Sequence, residues 1–585
     1  MRIILRLIVF VKKRWLGLLL GFICISVSTA GGLVIPRLLG DGIDTAIGSG
    51  SRRTIVIFAM IILGTTVLRS AARFGDTYIT QLVSQQASYD IRSALYNHLQ
   101  NLSFTFYDKA QTGQIMSRAT VDIEAARMFL SAGMLNLLQI VIVVVGVGYL
   151  LLSLNWALAL MTLAFMPVIF WQTLYVSNRL QPVWTKVQQL IGALGTTVQE
   201  SLAGVKVVKA FSLQAREKQK FYGDAEKLYD QQVAAARVQA IYTPLMALLV
   251  GIPIVLVLWY GGRQVIAGTL TIGGVTQFIL YLSMLAGFVS RLGQLSAMIS
   301  RTISAGRRIF EILDTKPEVV EKPGAVVLDG VRGAVAFKNV SFSYNSMAPV
   351  LNNVSFDVPP GHLVALLGGS GSGKTTVVSL MSRFYDVTDG SITIDGTDIR
   401  DVTLSSLRKN VGIAQQDVFL YSSTIRDNIA YGVPTASMEE VTSAARAAQI
   451  HDFIESLPNG YDTWVGERGV TLSGGEKQRV VIARSLLVNP KVLILDDSTS
   501  SVDAETEHLI RRALGKLIEG RTTFVITHRL PIIKNADLIL MLKEGRIVEQ
   551  GKHDELMAMN GLYRETYMGQ LASDQSQGGT QGRNT

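Results

Sequence analysis

Gly368-Gly369-Ser370-Gly371-Ser372-Gly373-Lys374-Thr375-Thr376 fits the spacing G-x-x-x-x-G-K followed by Ser or Thr, the spacing of a phosphate-binding loop. An apolar run precedes it, Leu363-Val364-Ala365-Leu366-Leu367, and reads as a buried strand. Val377-Val378-Ser379-Leu380-Met381 follows and suits the start of a helix. That strand–loop–helix order separates a phosphate loop from a glycine-rich turn with an incidental lysine. The glycines let the backbone fold tightly, so that several N–H groups and a helix N-terminus converge on the phosphates of a nucleotide. Lys374 then reaches the β- and γ-phosphates, and Thr375 offers its hydroxyl to Mg²⁺.

Working outward, 585 residues exceed what one core organises, so at least two domains are expected. Charged residues make up only 17%, against about 25% in an ordinary soluble domain. The deficit is local, because residues 15–36, 128–178, 238–262 and 264–290 contain no Asp, Glu, Lys or Arg. The part after 300 has an ordinary soluble composition, so the chain reads as a membrane protein with a cytoplasmic module. The net charge of +10 is spread over the loops of the membrane half, with no basic stripe interleaved with aromatics. Positive-inside topology accounts for it, and no nucleic-acid partner is expected. The single Cys24 lies in an apolar span and reads as a packing residue.

A span needs about 20 apolar residues. Six are placed within 1–310, at about 15–37, 54–75, 130–153, 156–177, 240–262 and 272–296. Arg2, Arg6, Lys12, Lys13 and Arg14 precede the first, which is read as a retained helix rather than a cleaved signal. Arg69 and Arg73 interrupt the end of the second, and Ser153-Leu154-Asn155 divides the third from the fourth. The links after the second and fourth spans run about 55–60 residues and are rich in charge. Read as antiparallel helix pairs they would extend about 40 Å into the cytoplasm, with turns near Gly113-Gln114 and Ser212-Leu213-Gln214. Asn136, Gln139, Gln172 and Gln277 are read first as interhelical hydrogen-bonding groups and second as substrate-lining ones. Arg291 is placed near the inner end of the sixth span, facing either the aqueous pathway or the interface.

Residues 311–333 form a polar linker with Pro317 and Pro323. Beyond it, residues 334–344 alternate as a strand that ends in Tyr344, 24 residues before the loop. A second acidic strand, Lys491-Val492-Leu493-Ile494-Leu495-Asp496, can bring Asp496 to the phosphate loop as a Mg²⁺ partner. Between the two, Leu472-Ser473-Gly474-Gly475-Glu476-Lys477-Gln478-Arg479 opens an apolar-periodic helix, which makes a further anion site.

The order Tyr344, phosphate loop, Gln416, Leu472 to Glu476, Asp496, Asp503, His528 resembles the nucleotide-binding domain of ABC transporters. Six spans with two long cytoplasmic excursions before it resemble the type IV exporter half-transporters. The resemblance covers the chain to about 570. It implies an α-helical membrane domain of six helices followed by an α/β P-loop NTPase (ABC) domain over 334–570, and the Gly-, Gln- and Ser-rich tail over 571–585 is expected to be disordered. By the same resemblance Tyr344 stacks on adenine, while Lys374 and the backbone of Gly368, Gly371, Ser372, Gly373, Thr375 and Thr376 hold the phosphates of ATP. Thr375, Gln416 and Asp496 organise Mg²⁺, and His528 touches the γ-phosphate. Ser473, Gly474 and Gly475 close over an ATP held by an opposite subunit, and Asp503 communicates between the two sites. The turns of the excursions would be coupling helices.

Two departures from the family pattern stand out. Asp497 occupies the place where the family usually has the Glu that polarises the attacking water, and Trp464 occupies a place where related exporters usually carry Glu. Asp is one methylene shorter, and holding the base about 1 Å away can lower the rate roughly 10²-fold. Asp497 with an intact Ser473-Gly474-Gly475 resembles one half of a heterodimeric exporter, whose partner holds the better hydrolytic site. The expectation is therefore an ATPase that exports a hydrophobic or amphipathic compound, drug-like, lipid or peptide, across a bacterial inner or plasma membrane. The N-terminus and nucleotide domain would be cytoplasmic. The alternatives are a homodimer with two slow sites and a non-pumping ATP-gated regulator or channel.

Overall fold

In the computed structural model, residues 2–49, 51–344, 349–414, 418–466, 469, 472–497, 504–527 and 529–578 are described. Contacts divide the chain into two units, Met1–Gln100 with Gln111–Thr315, and Asn101–Ala110 with Lys316–Thr585.

Helices joined by short turns make up the described part of the first unit. A short helix, Arg2–Lys12, buries Leu7 and Val11. Among the described residues, six helical runs then have the length and apolarity to cross a membrane. Trp15–Ser49 and Arg52–Asn101 are continuous, and the second has 50 residues, about 75 Å at 1.5 Å per residue. The spans expected at about 15–37 and 54–75 are thus only the apolar parts of longer rods. The third run reaches Met134–Leu154 through π-type turns at Arg118–Asp122 and Phe129–Gly133. Asn155 ends it with extended backbone (φ −159°), and its Oδ1 accepts from the Leu158 N–H to cap the next helix. The turn expected there therefore has a local cause. Met166–Ala203, Gln214–Leu256 and Ile272–Leu313 complete the set.

Of the two turns expected in the excursions, one is in place and one is displaced. Between Val205–Ala210 and Gln214–Leu256 the chain reverses, with Ser212 at φ +52°. Gly113, however, lies inside the helix Thr112–Ser117. The first reversal is built instead from the short helix Phe104–Lys109, a few residues earlier. That helix is fixed by packing within the second unit, where Phe104 lies 4.2 Å from the Phe384 ring, a tertiary contact that outweighs the local glycine signal.

Among the described residues of the second unit, ten strands form two sheets. They are β1 (Val335–Phe342), β2 (Leu351–Val358), β3 (Leu363–Leu367), β4 (Asp389–Ile394), β5 (Thr397–Asp398), β6 (Val411–Ala414), β7 (Val492–Asp497), β8 (Thr522–Thr527), β9 (Leu538–Lys543) and β10 (Arg546–Gly551). The first sheet is antiparallel, in the order β2-β1-β4-β5, and the second runs β10-β9-β3-β8-β7-β6 with all but β10 parallel. Phe337, Phe356, Val364, Leu366 and Phe524 join the sheets into one core. Helices around Ile425, Val441, Ile454 and Val480 form a second core. Burial on both faces explains why β3 reads as an unbroken apolar run. The last helix, Leu562–Gly578, seats Tyr563 in a small core, so the stretch from 571 is helical to Gly578 rather than unstructured from its start. The helix continues because nothing between Leu571 and Gly578 breaks the turn.

Candidate nucleotide site

β3 ends at the centre of the parallel sheet, and the chain must turn there into the helix Lys374–Met381. Glycine makes the turn possible, because Gly368, Gly371 and Gly373 have φ of +144°, +75° and +103°. At two of them space is also closed. A Cβ on Gly368 would lie 2.2 Å from the Leu542 carbonyl oxygen, and one on Gly373 2.6 Å from Leu351 Cδ2. The first amides of the new helix, including those of Lys374, Thr375 and Thr376, have no acceptor within it and form an anion-binding concavity.

Lys374 Nζ donates to the carbonyls of Gly368 and Gly369, each at 2.8 Å, and reaches Ser372 Oγ at 3.5 Å. Burial depresses the lysine pKa, and the Asp496 carboxylate opposes that shift. Burial raises the Asp496 carboxyl in turn, with Lys374 opposing. The two are brought together by topology, because β7 lies beside β8 and β8 beside β3, a separation of roughly 10 Å at about 4.8 Å per strand. Asp496 and the exposed Thr375 hydroxyl are hard oxygen donors, a donor type that fits Mg²⁺. Ser372 is buried and accepts the Gly545 N–H on its carbonyl at 3.2 Å.

Tyr344, just beyond β1, meets Phe342 edge-on at 4.8 Å and Tyr385 at 5.1 Å. Its hydroxyl lies 3.2 Å from Thr376 Oγ1, which ties this aromatic group to the phosphate loop. Tyr385 in turn donates to Asp108 Oδ2 at 2.7 Å, and Phe104 packs on Phe384. A cavity of about 300 Å³ lies among Thr105, Tyr344, Tyr385 and Thr388. The sequence reading missed Phe104, Asp108, Phe384 and Tyr385. The aromatic pair Phe384-Tyr385 right after the phosphate-loop helix was the available signal.

Ser473 stands at a different helix start, that of Gly474–Val488, and shares no hydrogen bond with the phosphate loop among the described residues. Its Oγ accepts from the Glu476 N–H, and its own N–H donates to Glu476 Oε2 at 2.7 Å. This reciprocal capping explains why serine and glutamate are spaced by three in the motif. Ser473 and Gly474 are exposed and Gly475 is buried, so the amide-rich helix start faces outward. Trp464 is 61% exposed beside Thr424, and upstream of it Tyr421 stacks on Tyr431 at 4.3 Å. Asp497 ends β7 and pairs in register with Thr527 of β8, while its side chain is not among the described groups. Gln416, Asp503 and His528 lie outside the described residues, as does the side chain of Arg291.

Comparison with known proteins agrees with this architecture. Residues 18–289 match the ABC transporter transmembrane region and 351–500 match the ABC transporter family. The chain is 39% identical to an ATP-dependent lipid A-core flippase of Syntrophus aciditrophicus, over 87% of this chain and 84% of the flippase. It is 37% identical to a putative multidrug export ATP-binding/permease protein of Bacillus subtilis, over 95% of this chain and 96% of that one. A bacterial Atm1-family ABC exporter with ATP bound superposes with a TM-score of 0.77 at 32% identity, covering 96% of this chain and 98% of the other. With six apolar helical runs preceding a domain built to bind ATP, the chain belongs to the ABC transporters, as a multi-pass exporter half-transporter whose ATPase is coupled to transport.

Proposed function

We propose that this chain is one half of a dimeric exporter that moves an amphipathic or hydrophobic substrate outward by alternating access, with the slower of two unequal ATP sites on its own phosphate loop. What supports the reading most is that one chain carries both a complete phosphate loop and, on a separate element, an exposed capped helix start. Each half then has a site to be completed and a lid to complete another. Lys374 leaves the loop carbonyls for the phosphates, which are stronger acceptors for an ammonium group. Thr375 and Asp496, with Gln416, would hold Mg²⁺, whose charge offsets that of the phosphates. Ser473 and Gly475 would cover the partner's nucleotide, Tyr344 would take the adenine, and His528 and Asp503 would act at the γ-phosphate and between sites. The tips of the two excursions would pass closure to the membrane helices. Relatives named for lipid A-core flipping and multidrug export support an amphipathic cargo. Basic loops support a cytoplasmic N-terminus and nucleotide domain in a bacterial inner membrane.

The test is Asp497. Glutamate there restores base reach, so Asp497→Glu should raise hydrolysis at this chain's own site, by up to about 10²-fold if reach alone limits it. Asp497→Ala should leave total ATPase of a heterodimer nearly unchanged. Loss of most activity in the alanine variant of the purified complex would reject unequal sites and favour a homodimer.

A further inference from the structure

The first spanning helix, Trp15–Ser49, opens with two unlike faces. On one, Gly17 packs closely on the helix Arg52–Asn101, since a Cβ there would lie 2.8 Å from Val83 Cγ2. On the opposite face Trp15, Leu18, Leu19 and Phe22 follow the spacing i, i+3, i+4, i+7 of a single apolar stripe. Such a stripe ordinarily packs on a neighbour. Here it faces Leu135 and Val141 of the helix Met134–Leu154 across an apolar groove of about 680 Å³. Leu135 is buried, whereas Trp15 is 60% and Val141 59% exposed, so the groove has a closed floor and an open side. Charge is placed just before its first residue. Lys12 and Lys13 precede Trp15, are exposed, and make no hydrogen bond or ion pair among the described residues. Arg14 donates to Asp90 Oδ2 at 2.6 Å, and that carboxylate also attracts Lys13. One negative charge therefore stands against three positive ones.

We propose that this groove holds one acyl chain of an anionic glycerophospholipid, bound as a resident lipid and not as cargo, with its phosphate against Lys12 and Lys13. The occupant follows from the two features together. An apolar groove that opens from spanning helices toward the bilayer meets hydrocarbon chains, and a concave wall grips one chain where a flat wall would let it exchange. Basic residues at the start of a span attract anionic headgroups, and a zwitterionic headgroup brings an ammonium that they repel. Trp15, between the lysines and the groove, has the ring suited to the level where headgroup meets chain. The leaflet is the one on the side of the N-terminus, which is the cytoplasmic leaflet on the topology proposed above.

The experiment is native mass spectrometry of the full-length protein in detergent, loaded with equal amounts of dipalmitoylphosphatidylglycerol and dipalmitoylphosphatidylcholine. One phosphatidylglycerol per copy of the chain should be retained in preference to phosphatidylcholine. Lys12→Gln and Lys13→Gln should each lower that preference about fivefold. Val141→Trp fills the groove from its exposed rim and should remove the retained lipid, and Leu19→Ala, which only makes the wall shallower, should weaken retention. Dihexanoylphosphatidylglycerol should not compete, because most of the chain contact is missing, and inorganic phosphate should not compete either. Equal retention of the two lipids, or a preference unchanged in both glutamine variants, would overturn the anionic class. Retention undiminished in both Val141→Trp and Leu19→Ala would overturn the groove, and displacement by inorganic phosphate would overturn the lipid. ATP affinity of every variant should match that of the unaltered chain, which confirms that each is folded. Retention in detergent does not depend on which side of a membrane the N-terminus occupies. Protease access to the N-terminus in sealed vesicles tests the topology separately, so either reading can fail alone.

Discussion

Removing one hydroxyl, in Tyr385→Phe, isolates the link between the first excursion and the aromatic cluster around Tyr344 in the nucleotide domain. The ring contacts with Phe342, at 5.6 Å, and with Tyr344, at 5.1 Å, are kept. Only the 2.7 Å bond to Asp108 Oδ2 is lost. Burial and the Asp108 carboxylate both hold the phenol pKa above the ordinary tyrosine value, so the hydroxyl stays a donor throughout the working pH range. A hydrogen bond to a charged acceptor is worth about 1.5–3 kcal/mol net. Because this one is solvent-exposed, about 1 kcal/mol is a better figure, equivalent to roughly a fivefold shift in docking. The residues 101–110 should therefore show faster amide exchange in the variant. Substrate-stimulated ATPase should fall several-fold, while basal ATPase and ATP affinity hold. Asp108→Ala should have the same effect, and the double variant should be no worse than either single one. Additive losses, or stimulation unchanged in the phenylalanine variant, would refute the link.

Two further outcomes follow from the phosphate loop. Gly368→Ala puts a Cβ 2.2 Å from a backbone oxygen at φ +144°, and should cost about 1–3 kcal/mol of domain stability and abolish tight ATP binding. Thermal unfolding with and without nucleotide reads both effects. Asp496, with its carboxyl raised by burial, is ionised only above its elevated pKa, so Mg–ATP affinity is present above that value and lost as pH falls through it. The loss should begin at a higher pH than an ordinary aspartate would give, and Asp496→Asn should lower affinity and remove the pH dependence. A wild-type profile that falls only in the ordinary carboxylate range would contradict this.

What the sequence made legible was local. The phosphate loop is a fixed spacing of glycines with a strand before and a helix after, and each φ it requires is set within nine residues. The Ser473–Glu476 box and the Asn155 cap are likewise short-range devices. The contacts that were not legible span long stretches of chain. Tyr385 and Asp108 are 277 residues apart, and although the pair Phe384-Tyr385 marks one side of the contact, nothing in the sequence around it names Asp108 as the partner. Gly113 misled because a glycine marks where a turn is permitted, whereas the docking of Phe104 decides where it forms. The polar residues of the spans divide in a way that spacing does not show. Gln277 donates to Asp41 Oδ1 at 3.1 Å on the first spanning helix, as an interhelical bond, whereas Asn136 and Gln139 line a cavity inside the membrane unit. Which face of a helix meets a neighbour depends on all six helices together.

The central claim is that ATP binding and hydrolysis drive an amphiphile across the membrane. Its most direct measurement is accumulation of a labelled amphiphile inside inside-out proteoliposomes that contain the purified complex. Accumulation should require ATP and Mg²⁺, and should stop with a non-hydrolysable analogue. It should fall strongly in Lys374→Ala, whose own phosphate loop lacks the ammonium that faces the β- and γ-phosphates. Accumulation equal in the presence and absence of ATP, or undiminished in Lys374→Ala, would contradict it.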